Sequence, residues 1–228
     1  MTLKKLFLFD IDGTLISPGS VSRGLLAKAI SAETGKTVEL GYNDVAGFTD
    51  RSITRNALAK LDHGGMVSED LLATILDRYI ASMESEFLTS DVPFVYGDCI
   101  TLLEAVEKAG HATCLLTGNM KPISKIKLGK FGLWDRFEFG IFADDAEEKS
   151  SMPRLAREKA WDVLAESYRL ENMVLVGDTA QDAEAANENG CESVIVCRKP
   201  EKRELIESVN PTFLVDDLSD QAVVSAVI

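Results

Sequence analysis

Apolar and polar positions follow two rhythms along this chain, and the change of rhythm divides it. The run Leu6-Phe7-Leu8-Phe9 is short and unbroken, which predicts a buried strand. From about Ser20 to Thr89 the apolar positions recur at helical spacing, with no strand-like run. The clearest stripe follows Ser68, where Leu71, Leu72, Ile75, Leu76, Tyr79, Ile80, Met83 and Phe87 fall on one helix face. Shorter stripes over Leu25 to Ile30 and Ile53 to Leu61 predict further helices.

From Pro93 onward, helical patterns alternate with short apolar runs, the sign of βαβ units and a parallel sheet. A helix over about Asp98 to Ala109, stopped by Gly110, precedes the strand Thr113 to Thr117. Pro122 suits the first turn of a helix, and Phe137 to Phe142 returns to the sheet. A helix around Pro153 to Ser167 leads to the strand Met173 to Gly177, a helix from about Gln181 to Asn189, and the strand Ser193 to Cys197. Turn-forming residues at Ser17-Pro18-Gly19 and Asp91-Val92-Pro93 mark the two connections to the helical insert.

Three of these strands end in polar residues. The first delivers Asp10-Ile11-Asp12-Gly13-Thr14, the second Thr117-Gly118-Asn119, and a later one Gly177-Asp178-Thr179-Ala180-Gln181-Asp182. Strand side chains alternate faces, so Asp10 and Asp12 share a side while Ile11 points away. Two converging carboxylates suit a divalent cation, a nucleophile and an acid/base. Beyond the carboxyl ends of parallel strands such segments meet despite their separation in sequence. Phosphate chemistry also needs a cation, for which Lys149 is the first choice and Arg154 the alternative.

In motif order and spacing, over nearly its whole length, the chain resembles the haloacid dehalogenase superfamily, in particular its magnesium-dependent phosphatases of phosphoglycolate-phosphatase type. Asp10 to Thr14 matches the Asp-x-Asp-Gly-Thr motif, Leu115 to Asn119 the strand ending in Thr or Ser, and Gly177 to Asp182 the Gly-Asp-x-x-x-Asp motif. No Lys-Pro pair stands where the third, basic motif is expected, so Lys149 is assigned by position. The resemblance implies a Rossmann-like core over residues 1–16 and 92–228, with helices on both sheet faces, and a helical cap over residues 17–91.

The resemblance further implies a phosphatase acting on a small phosphorylated metabolite, with phosphoglycolate the leading candidate. Asp10 would be the nucleophile and Asp12 the acid/base. Mg2+ would be held by the Asp10 carboxylate, the Asp12 carbonyl and Asp178. Thr117, Gly118, Asn119 and Lys149 would hold the phosphate, with Asp182 orienting waters or Lys149, or simply capping its helix. In the cap, Gly47-Phe48-Thr49-Asp50-Arg51 resembles a loop that faces the site, with Arg51 able to meet an anionic substrate group or to pair locally. A phosphomutase would share every core residue. A phosphonatase would need a cap lysine that no spacing singles out, and the Asp12 carboxylate argues against a dehalogenase and a receiver-like binding module.

Composition narrows the partners. A net charge of −13 argues against a nucleic-acid or anionic-membrane surface, and no run is long enough to span a membrane. Cys99, Cys114, Cys191 and Cys197 lack Cys-x-x-Cys spacing and read as buried free thiols, which fits the cytoplasm. The acidic run Asp144, Asp145, Glu147, Glu148 reads as a solvated loop, as does the basic run Lys121, Lys125, Lys127, Lys130 on its helix. His63 and His111 are expected in surface or packing roles.

Overall fold

The computed structural model describes residues 4–61 and 67–228. In chain order the elements are β1 (Leu6–Phe9), β2 (Ile16–Ser17), α1 (Val21–Thr34), α2 (Tyr42–Val45), α3 (Asp50–Leu61), α4 (Glu69–Ser82) and β3 (Phe94–Val95). There follow α5 (Gly97–Lys108), β4 (Ala112–Leu116), α6 (Lys121–Gly129), β5 (Gly140–Ile141), α7 (Met152–Leu164), β6 (Met173–Gly177) and α8 (Ala180–Asn189). The chain closes with β7 (Glu192–Val196), α9 (Arg203–Ser208), β8 (Phe213–Val215) and α10 (Gln221–Val227).

Six strands form one parallel sheet in the order β5-β4-β1-β6-β7-β8. β1 is central: Phe9 stands level with Leu115 of β4 on one side and Val176 of β6 on the other. Its alternation sorts the core into two layers. Phe7 and Phe9 enter a cluster with Leu102 and Val106 of α5 and Val224 of α10, while Leu6 and Leu8 enter another with Ala156 of α7 and Ala186 of α8. Apolar side chains on both faces require helices on both, as the unbroken run predicts.

The helices between β2 and β3 pack mainly on each other, α1 against α4 and α3 against α4. α4 starts where Ser68 accepts the Leu71 N–H, a cap contributing about 1 kcal/mol. Its stripe continues through a π-helical turn over Met83–Phe87, which keeps Met83 and Phe87 buried. β2 and β3, absent from the sequence reading, pair antiparallel, Ile16 opposite Val95. The two connections to the helical segment thus lie side by side. β8 was also absent from that reading, because Phe213-Leu214-Val215 is too short to show a period.

His111 packs against the Phe7 ring, and its Nδ1 accepts the Lys5 N–H at 3.2 Å. His63 lies outside the described residues. All four cysteines are buried and free.

Candidate active site

Three neighbouring strands, β4, β1 and β6, deliver Thr117, Asp10 and Asp178 to one end of the sheet, and all three residues line a single cavity of about 340 Å³. Asp10 continues β1, its N–H donating to the Val176 carbonyl at 2.9 Å. Asp10, Asp178 and Asp182 are buried, with carboxylate oxygens that lie within 4.8 Å of one another.

Gly13 makes this convergence possible. Its φ of +84° is open to glycine, and a Cβ there would sit 2.1 Å from Asp178 Oδ2. Gly177 plays the same part for Asp182, whose Cγ would lie 2.2 Å from an added Cβ.

Lys149, buried in a short helical turn, stands between two of the acids, with Nζ 3.1 Å from Asp10 Oδ2 and 2.7 Å from Asp182 Oδ1. Burial opposes its charge, but Asp10 and Asp182 override that and hold its pKa above the ordinary lysine value. Asp182 does two jobs. One oxygen accepts the Thr179 N–H at 3.0 Å in a reciprocal cap of α8, and the other faces Lys149. Arg154 is turned instead to Asn189, at 3.0 Å.

Burial, partly opposed by Lys149, pushes the Asp10 carboxyl up to about 6. Burial, reinforced by Asp182 and Asp10, holds Asp178 well above the carboxylate range. Fully ionised, Asp10, Asp178 and Asp182 with Lys149 carry a net charge of −2. Asp178 Oδ1 is buried with no hydrogen-bond partner. A buried carboxylate oxygen left bare in an acidic cluster fits a divalent cation with oxygen ligands.

Asp12 is held by a second lysine, contrary to the expectation that Lys127 is solvated. Lys127 Nζ is 2.5 Å from Asp12 Oδ2 and 2.6 Å from Asn119 Oδ1, with the side chain 1% exposed. Burying an ammonium costs several kcal/mol unless it is paired and hydrogen-bonded, and here both conditions are met. The signal was available: Lys127 lies four residues beyond Ile123, on the buried stripe Ile123, Ser124, Lys127, Leu128 of α6. Lys121 and Lys125 are exposed. Asn119 Nδ2 also donates to Asp12 Oδ2 at 3.2 Å and to Thr117 Oγ1 at 2.9 Å.

The loop before α3 docks on the end of β4. The Asp50 N–H donates to the Gly118 carbonyl at 2.8 Å, Asp50 Oδ2 accepts the Met120 N–H at 2.8 Å, and Thr49 Oγ1 donates to the Glu147 carbonyl at 3.1 Å. A Cβ on Gly118 would lie 2.3 Å from the Phe48 carbonyl oxygen. Of the two roles open to Arg51 the structure shows an ion pair, with Glu69 at 3.3 Å and not Asp50 as its partner, and Arg51 is absent from the cavity lining. The cavity arginines are instead Arg23 and Arg198, neither singled out by a motif. Asp144, Asp145, Glu147 and Glu148 are exposed, and Asp144 and Asp145 accept loop N–H groups.

A family model described as a haloacid dehalogenase-like hydrolase matches residues 4–190. The chain is 26% identical over 234 residues to a phosphoglycolate phosphatase of Vibrio parahaemolyticus, covering 98% of this chain and 96% of that protein. A crystal structure from Haemophilus somnus, described as a predicted phosphoglycolate phosphatase, is similar with a TM-score of 0.72 at 18% identity, covering 99% of each chain. A β-phosphoglucomutase from Clostridium difficile is similar with a TM-score of 0.75 at 16% identity, covering 99% of this chain and 97% of that one. The two structures speak to the fold alone.

Proposed function

Because the chain belongs to the haloacid dehalogenase-like hydrolase family, we propose that it is a phosphatase that removes phosphate from a small metabolite through an aspartyl-phosphate on Asp10. The observation that carries this reading is the pairing of a buried nucleophile candidate beside Lys149 with an acid, Asp12, fixed by Lys127 and Asn119. Phosphoglycolate is the first substrate to try, since curated relatives at about a quarter identity carry that activity in their names.

Asp10 attacks phosphorus in line, forming an oxygen–phosphorus bond as the bond to the leaving oxygen breaks. Asp12 gives that oxygen a proton. It then takes a proton from the water that attacks the aspartyl-phosphate, which releases phosphate and restores Asp10. Thr117, the Gly118 amide and Lys149 hold the phosphoryl oxygens, while Asn119, expected among them, spends both amide hydrogens on Asp12 and Thr117. The Asp10 carboxylate, the Asp12 carbonyl and Asp178 would hold Mg2+, whose charge would offset repulsion between Asp10 and the phosphate dianion. Asp182 orients Lys149.

The helices between β2 and β3 serve as a cap over residues 17–91, docked on the core through Phe48 to Asp50, and residues 1–16 and 92–228 form the core. Four buried free thiols suit a reducing cytoplasm.

The test is phosphate release from phosphoglycolate, sugar phosphates, nucleotides and p-nitrophenyl phosphate, with Mg2+ or EDTA, comparing wild type with Asp10→Asn. The expected result is metal-dependent release that Asp10→Asn abolishes while remaining folded. Isomerisation of a sugar phosphate without phosphate release would replace this reading with a mutase.

A further inference from the structure

The cavity wall supplied by the helical segment includes Ser22 and Arg23, the second and third residues of α1. α1 begins without a side-chain cap: Ser20 occupies the cap position but its hydroxyl makes no capping bond, and the first turn holds no acid. The Val21 and Gly24 N–H groups reach the Pro18 and Ser20 carbonyls, at 3.3 and 3.0 Å, whereas those of Ser22 and Arg23 meet no acceptor among the described residues. Such a helix end attracts anions.

Two side chains sharpen this. A guanidinium in a first helical turn meets the positive end of the helix dipole, a disfavoured placement. Arg23 takes that placement half-buried, with no carboxylate or hydrogen-bond partner among the described residues. Arg198, on the same cavity, is by contrast bound to Asp98 through both terminal nitrogens, at 2.8 and 2.9 Å. Ser22 is 6% exposed, and its hydroxyl lies beside the Tyr79 phenol, with no well-aligned hydrogen bond among the described residues. The backbone N–H groups and the guanidinium only donate, so a group rich in acceptors and negative charge satisfies them together.

We propose that the first turn of α1, with Ser22 and Arg23, is a subsite for a second anionic group on the substrate, a carboxylate or a second phosphate that departs with the leaving oxygen. This rests on the phosphatase reading above. It makes Arg23 a specificity-determining residue that selects phosphomonoesters with a charged far end over neutral ones of equal size.

The test is calorimetric titration of Asp10→Asn, with and without Arg23→Gln, using two matched pairs of probes. One pair is 2-phosphoglycolate and 2-hydroxyethyl phosphate; the other is propane-1,3-diyl bisphosphate and 3-hydroxypropyl phosphate. In Asp10→Asn the charged member of at least one pair binds about 10–100-fold tighter, and Arg23→Gln collapses that ratio to within about threefold while leaving the neutral member unchanged. The pair that collapses identifies carboxylate or second phosphate. An unchanged ratio in both pairs, or equal loss for charged and neutral probes in folded protein, overturns the proposal. Turnover of the same compounds by the Asp10 enzyme judges the phosphatase reading separately, since the binding ratio is read without it.

Discussion

Lys127 and Asp12, 115 residues apart in sequence, form a pair 2.5 Å long with the lysine wholly inside the protein. The pair fixes one oxygen of Asp12, and the other is buried without a partner beside the cavity. A carboxylate held this way has its position set by the protein alone.

Lys127→Met is therefore expected to lower kcat by about 10²–10⁴-fold, the range a positioned acid/base contributes. Asp12→Asn should cost as much, and the double variant no more than Asp12→Asn alone, because the two act as one unit. Steady-state phosphate release, with circular dichroism to verify folding, checks this. Additive losses would separate the two residues.

Metal binding has a readout that needs no turnover. A cation that binds the folded chain raises its stability by about 2.7 kcal/mol at a hundredfold excess over Kd. Thermal unfolding of wild type should shift upward with Mg2+ and return with EDTA. Asp178→Asn should abolish the shift, since it neutralises the acid that carries the bare oxygen.

Docking of the Phe48–Asp50 loop depends on the missing side chain at Gly118. Gly118→Val drives carbon into the Phe48 carbonyl and should lower kcat/KM by about 10²-fold, the cost of misplacing a binding wall by an ångström. Protease cleavage near Phe48 should accelerate in this variant while the midpoint of core unfolding changes little.

Asp50 predicts a pH effect. Burial, partly offset by Lys127, pushes its carboxyl up to about 6. In the unfolded chain it titrates near ~4. A carboxyl raised on folding retains its proton in the folded chain through that window, so stability from this group is greatest below about 4 and falls as pH rises to about 6. Asp50→Asn keeps an acceptor for the Met120 N–H and should flatten the slope of urea-unfolding free energy between those limits. An unchanged slope would assign it to other groups.

The strands and acids of the site were legible because their signals are local. Leu6 to Phe9 is an unbroken apolar run; Asp10 and Thr117 directly follow such runs, Asp12 stands two residues past Asp10, and Asp178 follows Met173 to Val176 after one glycine. What escaped was set by distant neighbours. Lys127 reads as one of four lysines on a helix until Asp12 and Asn119 are brought to it. Arg51 reads as either a substrate contact or a local pair, and its partner, Glu69, lies eighteen residues on, beyond local reach in the sequence. Arg23 belongs to no motif, and what sets it apart is the lack of a counter-charge among the described residues at a helix end whose dipole already disfavours it. β2 and β3 are two residues each, stabilised by pairing with one another across the whole helical segment.

The central place of β1 dictates an order of assembly. Its partners are β4, which starts at Ala112, and β6, which ends at Gly177, so β1 precedes both in the chain and is fully paired only once β6 has been made. The helices after it make mostly nearby contacts and form without waiting, while the sheet closes only when distant strands arrive. A chain cut short before Asp178 lacks the acid that faces Gly13. The three buried acids that gather at the end of the sheet therefore come together only after β6 and the start of α8 have been made.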